Sequence, residues 1–241
     1  MIENMRILHL YAKSKHKFTL PEHIVKQIPA NYGIVAAIQE VESLKEIQAQ
    51  LKNAVIAGQI LGCRQEQAQE IMDKVDGFLY IGTGYFHPIG LYLSTKMPIL
   101  CYNPQTQTLT PLEQSRVDEF LAVKKKAKLR FLKAEKVGII VSSKTGQNGI
   151  AVAMRLKKRT EKKYMVFAVD TLNYNELQNF PWIDCWVNTA CPRIADEKNN
   201  VVNIADVREF LNLEQYHEHL DVNQIRKDDG SDIKKTDIDI L

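Results

Sequence analysis

Residues 137–169, VGIIVSSKTGQNGIAVAMRLKKRTEKKYMVFAV, hold two apolar runs of strand length, Val137 to Val141 and Tyr164 to Val169. Between them Gly149 to Arg159 carries helical spacing. Two continuous apolar strands joined by a helix predict a parallel βαβ unit, covered on both faces. The alternation continues on either side. Strand-length runs recur at Met5 to Leu10, Tyr32 to Ala37, Ala54 to Ile60, Gly77 to Ile81, Pro98 to Tyr102 and Ile183 to Val187. Helical patterns fill Pro21 to Gln27, Val41 to Leu51, Arg64 to Lys74 and Tyr174 to Phe180. The polar stretch Asn103 to Pro111, NPQTQTLTP, has a proline near each end and reads as a linker, placing a boundary near Thr108. A long helix, Pro111 to Glu135, follows. The expected fold class is therefore α/β, with two tandem domains, each a small, mainly parallel sheet flanked by helices. They span residues 1–108 and 109–214, and a charged segment, residues 215–241, is expected to be a mobile tail.

Composition narrows the class further. The chain has 241 residues, 45% hydrophobic and 25% charged, with a formal net charge of +3. That suits a globular protein with one large or two small cores. The N-terminus lacks a long apolar segment with a small-residue cleavage site, and no apolar run reaches the length of a membrane span, so a cytoplasmic address without membrane attachment is expected. The basic stretches Lys124 to Lys136 and Lys157 to Lys163 lack interleaved aromatic residues and read as solvated helix faces, so no direct nucleic-acid role is expected. His217 and His219 form an HxH pair too common to mark a metal site. The cysteines Cys63, Cys101, Cys185 and Cys191 form no CxxC pair, which argues against a disulfide framework or a structural zinc site.

Four segments carry candidate chemistry. In VNTACPRIA, Val187 to Ala195, Pro192 ends a strand and leaves Cys191 at its carboxyl end, where ligands bind in open α/β sheets. Such a thiol either holds a metal or packs as a small hydrophobe. Cys63, at the end of the run AVIAGQILGC, repeats that placement, so the two cysteines are expected to end equivalent strands of two domains and to face one cleft. Ser142 to Gln147, SSKTGQ, lies between a strand and a helix, and its backbone N–H groups with Lys144 can hold an anion or simply cap the helix. Gly82 to Pro88, GTGYFHP, follows another strand and lacks the third glycine of a dinucleotide fingerprint. His87 there suits a hydrogen-bonded structural histidine or a catalyst.

Taken in order, GQILGC (Gly58 to Cys63), GTGYFHPIG (Gly82 to Gly90), SSKTGQ and VNTACPRIA resemble the diphthamide synthesis family, whose archaeal members are 2-(3-amino-3-carboxypropyl)histidine synthases. The resemblance runs from about residue 5 to residue 211. It implies tandem α/β domains around a [4Fe-4S] cluster with one cysteine from each of three domains. It further implies binding of S-adenosyl-L-methionine at the open iron, and radical transfer of its 3-amino-3-carboxypropyl group to a histidine of elongation factor 2. Cys63 and Cys191 match the second and third cluster cysteines of the family. Lys144, Gly146 and Gln147, with Gly82, Gly84 and His87, are the residues expected to bind the cofactor, and no catalytic residue is assigned. This chain resembles a short form without the N-terminal domain that carries the first cysteine. Thr83 also stands where the resemblance leads one to expect an acidic residue. Cys101, a separate chain with the missing domain or a non-cysteine ligand are the alternatives for completing the cluster. The expected partners are elongation factor 2 as protein substrate and a second copy or a chain carrying the missing domain. A non-catalytic scaffold subunit of the same complex is the alternative function, and a nucleotide-binding protein with structural cysteines a third.

Overall fold

The computed structural model describes residues 17–144, 148–196, 200–211 and 239–240. A short helix, α1 (Glu22–Val25), precedes the first strand, β1 (Tyr32–Ala36), which is buried along its whole length. There follow α2 (Leu44–Gln50), β2 (Val55–Gln59), α3 (Glu66–Gln69), β3 (Gly77–Ile81), α4 (Phe86–Thr95), β4 (Ile99–Asn103) and β5 (Thr108–Pro111). The strands pair in the order β2-β1-β3-β4-β5, parallel except for β5, which runs antiparallel to β4. Side-chain alternation builds the core on both faces of this sheet. Ile34 and Leu79 pack with Leu44 and Ile47 of α2, whereas Val35 and Tyr80 pack with Ala68 of α3 and Leu91 of α4.

NPQTQTLTP is not a linker. Asn103 ends β4 and Oδ1 of its side chain accepts from Gln105 N at 2.9 Å, so the polar segment is the tip of a hairpin whose second strand pairs Thr110 with Cys101. The chain divides instead inside the next helix, into compact units of residues 1–117 and 118–241.

That helix, α5 (Gln114–Lys133), leads into β6 (Lys136–Ser142), α6 (Ile150–Lys157), β7 (Lys163–Val169), α7 (Tyr174–Leu177), β8 (Cys185–Asn188), β9 (Val201–Asn203) and α8 (Ile204–Val207). A last two-residue strand, β10 (Asp239–Ile240), lies parallel to β7. The order is β10-β7-β6-β8-β9, every pair parallel. Ile139, Val141 and Val187 meet Ala153 and Leu156 of α6 on one face. Ile140, Phe167 and Trp186 meet Leu177 of α7 on the other. Part of the basic sequence serves this architecture: Lys162 Nζ donates to the carbonyls of Leu132 and Ala134 at 3.1 and 2.6 Å, satisfying acceptors at the end of α5. Lys124 pairs with Asp206 at 2.7 Å.

Met5 to Leu10, Gly146, Gln147, His217, His219 and the expected tail up to residue 238 lie outside the described residues. Among the described residues, no helix is long and apolar enough to cross a membrane.

Candidate functional site

In both units the chain runs from the first strand to a neighbour on one side, then returns to the other, giving the order second-first-third-fourth. In such a sheet the crevice opens at the carboxyl ends of the first and third strands. In the second unit these are β6 and β8, and two of the sequence motifs meet there. Ser142 to Lys144 leave β6, while Asn188 to Cys191 leave β8. Thr189 joins them, its N and Oγ1 both donating to the Ile140 carbonyl at 3.1 and 2.8 Å. Gly149 seals the contact, since a Cβ there would stand 2.3 Å from Thr189 Oγ1 and 2.7 Å from its carbonyl oxygen.

Cys191 is half-buried on a turn held by two asparagines that end adjacent parallel strands. Asn188 Nδ2 donates to the Cys191 carbonyl and to Asn203 Oδ1, both at 2.8 Å. Asn203 Nδ2 donates to the Pro192 carbonyl at 2.8 Å, and Asn188 Oδ1 accepts from Ala190 N at 3.0 Å. Both asparagines are buried, at 1% and 4% exposure, a location amides tolerate only when bonded. The Cys191 carbonyl also accepts from Ile194 N at 3.0 Å, and the Tyr174 hydroxyl donates to the Ile194 carbonyl. This pair escaped the sequence reading, although asparagine at the end of two apolar runs, WVN and VVN, is its signature.

Lys144 turns instead to the other neighbour of β6, the residues that follow β7. Its Nζ donates to Thr171 Oγ1 at 3.2 Å, its N donates to Ser142 Oγ at 3.1 Å, and the Ser143 hydroxyl donates to Asp170 at 2.8 Å. These groups line the carboxyl ends of β6 and β7 with donors and a cation suited to a carboxylate or a ribose.

Cys63 does not occupy the place equivalent to Cys191. It follows β2, the second strand of its sheet, whereas Cys191 follows β8, the third strand of its own. Sequence spacing hides this, because strand order depends on which way each crossover turns. Cys63 is exposed on a tight turn closed by Leu61 N to Arg64 O at 3.0 Å and Arg64 N to Leu61 O at 3.1 Å. A bulge precedes it: Ile34 pairs with Ile56 and Val35 with Gly58, leaving Ala57 extra, and Gly58 has φ +102°. The extra residue re-aims the strand end that carries the thiol. GTGYFHPIG packs on this turn through α4. A Cβ at Gly62 would stand 2.1 Å from the Phe86 ring, and one at Gly90 would stand 2.5 Å from the Gly62 carbonyl oxygen. Half-buried His87 contacts the rings of Phe86 and Tyr80 edge-on, with centroids 5.6 and 6.1 Å away. Gly82 donates its N–H to the Tyr102 carbonyl at 3.0 Å, and Gly84 lies in open space at φ +72°.

The remaining thiols are core atoms. Cys101 is 8% exposed and Cys185 1%, and burial pushes both up to about 12. Arg116 beside Cys101, and Arg130 and Lys162 beside Cys185, offset this only in part. At pH 8 such thiols are ionised to about one part in ten thousand, and the thiolate is the reactive form. Iodoacetamide at pH 8 is therefore expected to label Cys63 and Cys191 in the native protein, and all four cysteines only after unfolding. Peptide mapping checks this; labelling of Cys101 or Cys185 at the rate of Cys63 would contradict it. Among the described residues no three His, Cys, Asp or Glu side chains gather closely enough to hold a metal.

Residues 1–200 match the family model of the diphthamide synthesis protein. The chain belongs to the diphthamide synthesis family. Similar curated proteins include the 2-(3-amino-3-carboxypropyl)histidine synthase of Pyrococcus horikoshii, 33% identical over 140 residues, which cover 57% of this chain and 39% of that protein. The synthase of Methanocaldococcus jannaschii is 31% identical over 142 residues, covering 56% and 39%. Subunit 1 of the Schizosaccharomyces pombe synthase is 24% identical over 201 residues, covering 72% and 45%. Among solved structures, Dph2 from Pyrococcus horikoshii with its 4Fe-4S cluster superposes with a TM-score of 0.65 at 25% identity, covering 81% of this chain and 61% of that one. The diphthamide synthesis chain thus spans about two fifths of the length of the first two curated relatives.

Proposed function

We propose that this chain is a component of a 2-(3-amino-3-carboxypropyl)histidine synthase, with Cys63 and Cys191 as two thiolate ligands of an iron–sulfur cluster. One observation carries the reading: of four cysteines, the two within the family motifs are the two on accessible turns at strand ends, while the other two are sealed in cores. Thiolates suit soft iron, and neither turn needs to unfold to present its sulfur. A cluster bound there would supply an electron and an open iron site for the methionine end of S-adenosyl-L-methionine. Lys144, with the Ser142 to Ser143 segment, would orient the carboxylate or ribose of that ligand; in the first unit Gly82, Gly84 and His87 are assigned to cofactor binding in this reading, and a Cβ at Gly84 would meet nothing within 4 Å. The acceptor in this reading is a histidine of elongation factor 2. The described residues offer two accessible thiols, one fewer than a three-cysteine site requires, so this reading draws the third from outside them, either from the family's remaining domain or from a second copy. A second reading, a scaffold subunit without its own cluster, draws on the observation that among the described residues no three metal-binding side chains gather.

Anaerobic reconstitution with iron and sulfide, in the presence and absence of a polypeptide that carries the family's remaining domain, tests both. Wild-type protein is expected to take up iron and sulfide, and Cys63→Ser and Cys191→Ser each to return uptake to background, while Cys101→Ala retains it. Uptake indifferent to both substitutions would overturn the ligand assignment. A stable complex that binds no iron through this chain would establish the scaffold.

A further inference from the structure

We propose that Asn188 and Asn203 are positioning residues that pre-form the Cys191 turn as a ligand loop before any metal arrives. The inference rests on the reading of Cys191 as a cluster ligand and adds how that ligand is held. The two amides form one continuous chain of bonds: Asn203 Nδ2 to the Pro192 carbonyl, Asn188 Nδ2 to Asn203 Oδ1 and to the Cys191 carbonyl, and Ala190 N to Asn188 Oδ1, all at 2.8–3.0 Å. Three consecutive residues, 190 to 192, are thereby tied to the ends of two neighbouring strands through β8–β9 pairing that places Asn188 beside Asn203. Both amide hydrogens of Asn188 are spent on this turn and its partner amide, so the bonds that satisfy two polar side chains buried at the sheet's end are the same bonds that hold the turn. The carbonyls of Cys191 and Pro192 are drawn toward the asparagines, which fixes the two peptide planes that follow the thiol-bearing residue and keeps their oxygen ends engaged. The Cys63 turn carries backbone bonds between Leu61 and Arg64 and a bond from Gln65 Nε2 to the Leu61 carbonyl at 2.7 Å. Outer-sphere groups such as the two asparagines hold a ligand in the geometry its metal needs.

The test uses the full chain carrying Asn203→Asp, which puts a carboxylate oxygen against the Pro192 carbonyl, with Asn203→Ala as a milder variant that removes the donor without adding charge. Iodoacetamide alkylation of metal-free protein gives the Cys191 rate with Cys63 on the same molecule as internal reference, and circular dichroism checks the fold. Released from the clamp, Cys191 is expected to react faster relative to Cys63 by about threefold or more. Iron uptake on reconstitution is expected to weaken by about tenfold, with a changed electron paramagnetic resonance line shape of whatever cluster remains. An unchanged rate ratio in both variants overturns the proposal, as does a changed ratio with unaltered iron uptake and line shape. If wild-type protein takes up no iron in any combination, the proposed function fails, and the rate ratio alone then decides whether the asparagines hold the turn.

Discussion

Trp186→Ala is expected to destabilise the second unit by about 3–5 kcal/mol and to lower its melting temperature on the order of 10 °C or more. The indole is 1% exposed and forms the centre of an aromatic cluster, with ring centroids 4.8 Å from Phe167 and 6.0 Å from Phe180, which are themselves 4.9 Å apart, all edge-to-face. Its register partner on β6 is Gly138, where a Cβ would stand 2.4 Å from the indole, so the sheet leaves a slot that the tryptophan fills. Alanine would empty that slot, and close-packed neighbours on β7 and α7 can collapse into it only in part. Trp186 also stands two residues before Asn188, so the loss reaches the Cys191 turn. Thermal unfolding by circular dichroism measures the effect; a cost below about 1 kcal/mol would show that the cluster is not the keystone of this core.

Gly90→Ala is expected to abolish the contribution of Cys63 to iron uptake while leaving alkylation of Cys191 unchanged. Alanine within α4 gains about 1 kcal/mol of helix propensity, but its Cβ would lie 2.5 Å from the Gly62 carbonyl oxygen and 3.1 Å from the Gly62 carbonyl carbon. The Gln65 amide, at 2.7 Å, can swing aside, but the two Gly62 atoms are backbone and cannot. Relief requires the helix or the turn to move, at a cost of about 1–3 kcal/mol, and the turn is the lighter of the two. Cys63 is the next residue in it. Reconstitution of Gly90→Ala is therefore expected to match that of Cys63→Ser, and iron uptake at the wild-type level would refute the coupling between α4 and the thiol.

The parallel βαβ architecture was legible because buried strands such as Gly77–Ile81 and Lys136–Ser142 read as unbroken apolar runs between helical spacings. Three things were not. The hairpin Ile99–Pro111 reads as a linker because its second strand, TLTP, lies at a sheet edge, largely exposed, and carries too little apolar character to announce itself. The order of strands within each sheet depends on crossovers that leave no local pattern, so the placement of Cys63 after the second strand rather than the third could not be read from spacing. The asparagine clamp joins residues 188 and 203 through strand pairing, and single-residue reasoning about a cysteine does not reach across fifteen positions. What was legible at the site was the chemistry that stands in one motif: thiols beside strand-ending residues, and a lysine beside two serines.

The shared strand order of the two sheets makes their strand ends comparable position by position. Counting from the end of the third strand, Cys191 of the second half falls opposite Gly84 of the first, a glycine at φ +72° with nothing within 4 Å of where a Cβ would stand. The two accessible thiols thus stand at the rims of different strands in two sheets of one strand order.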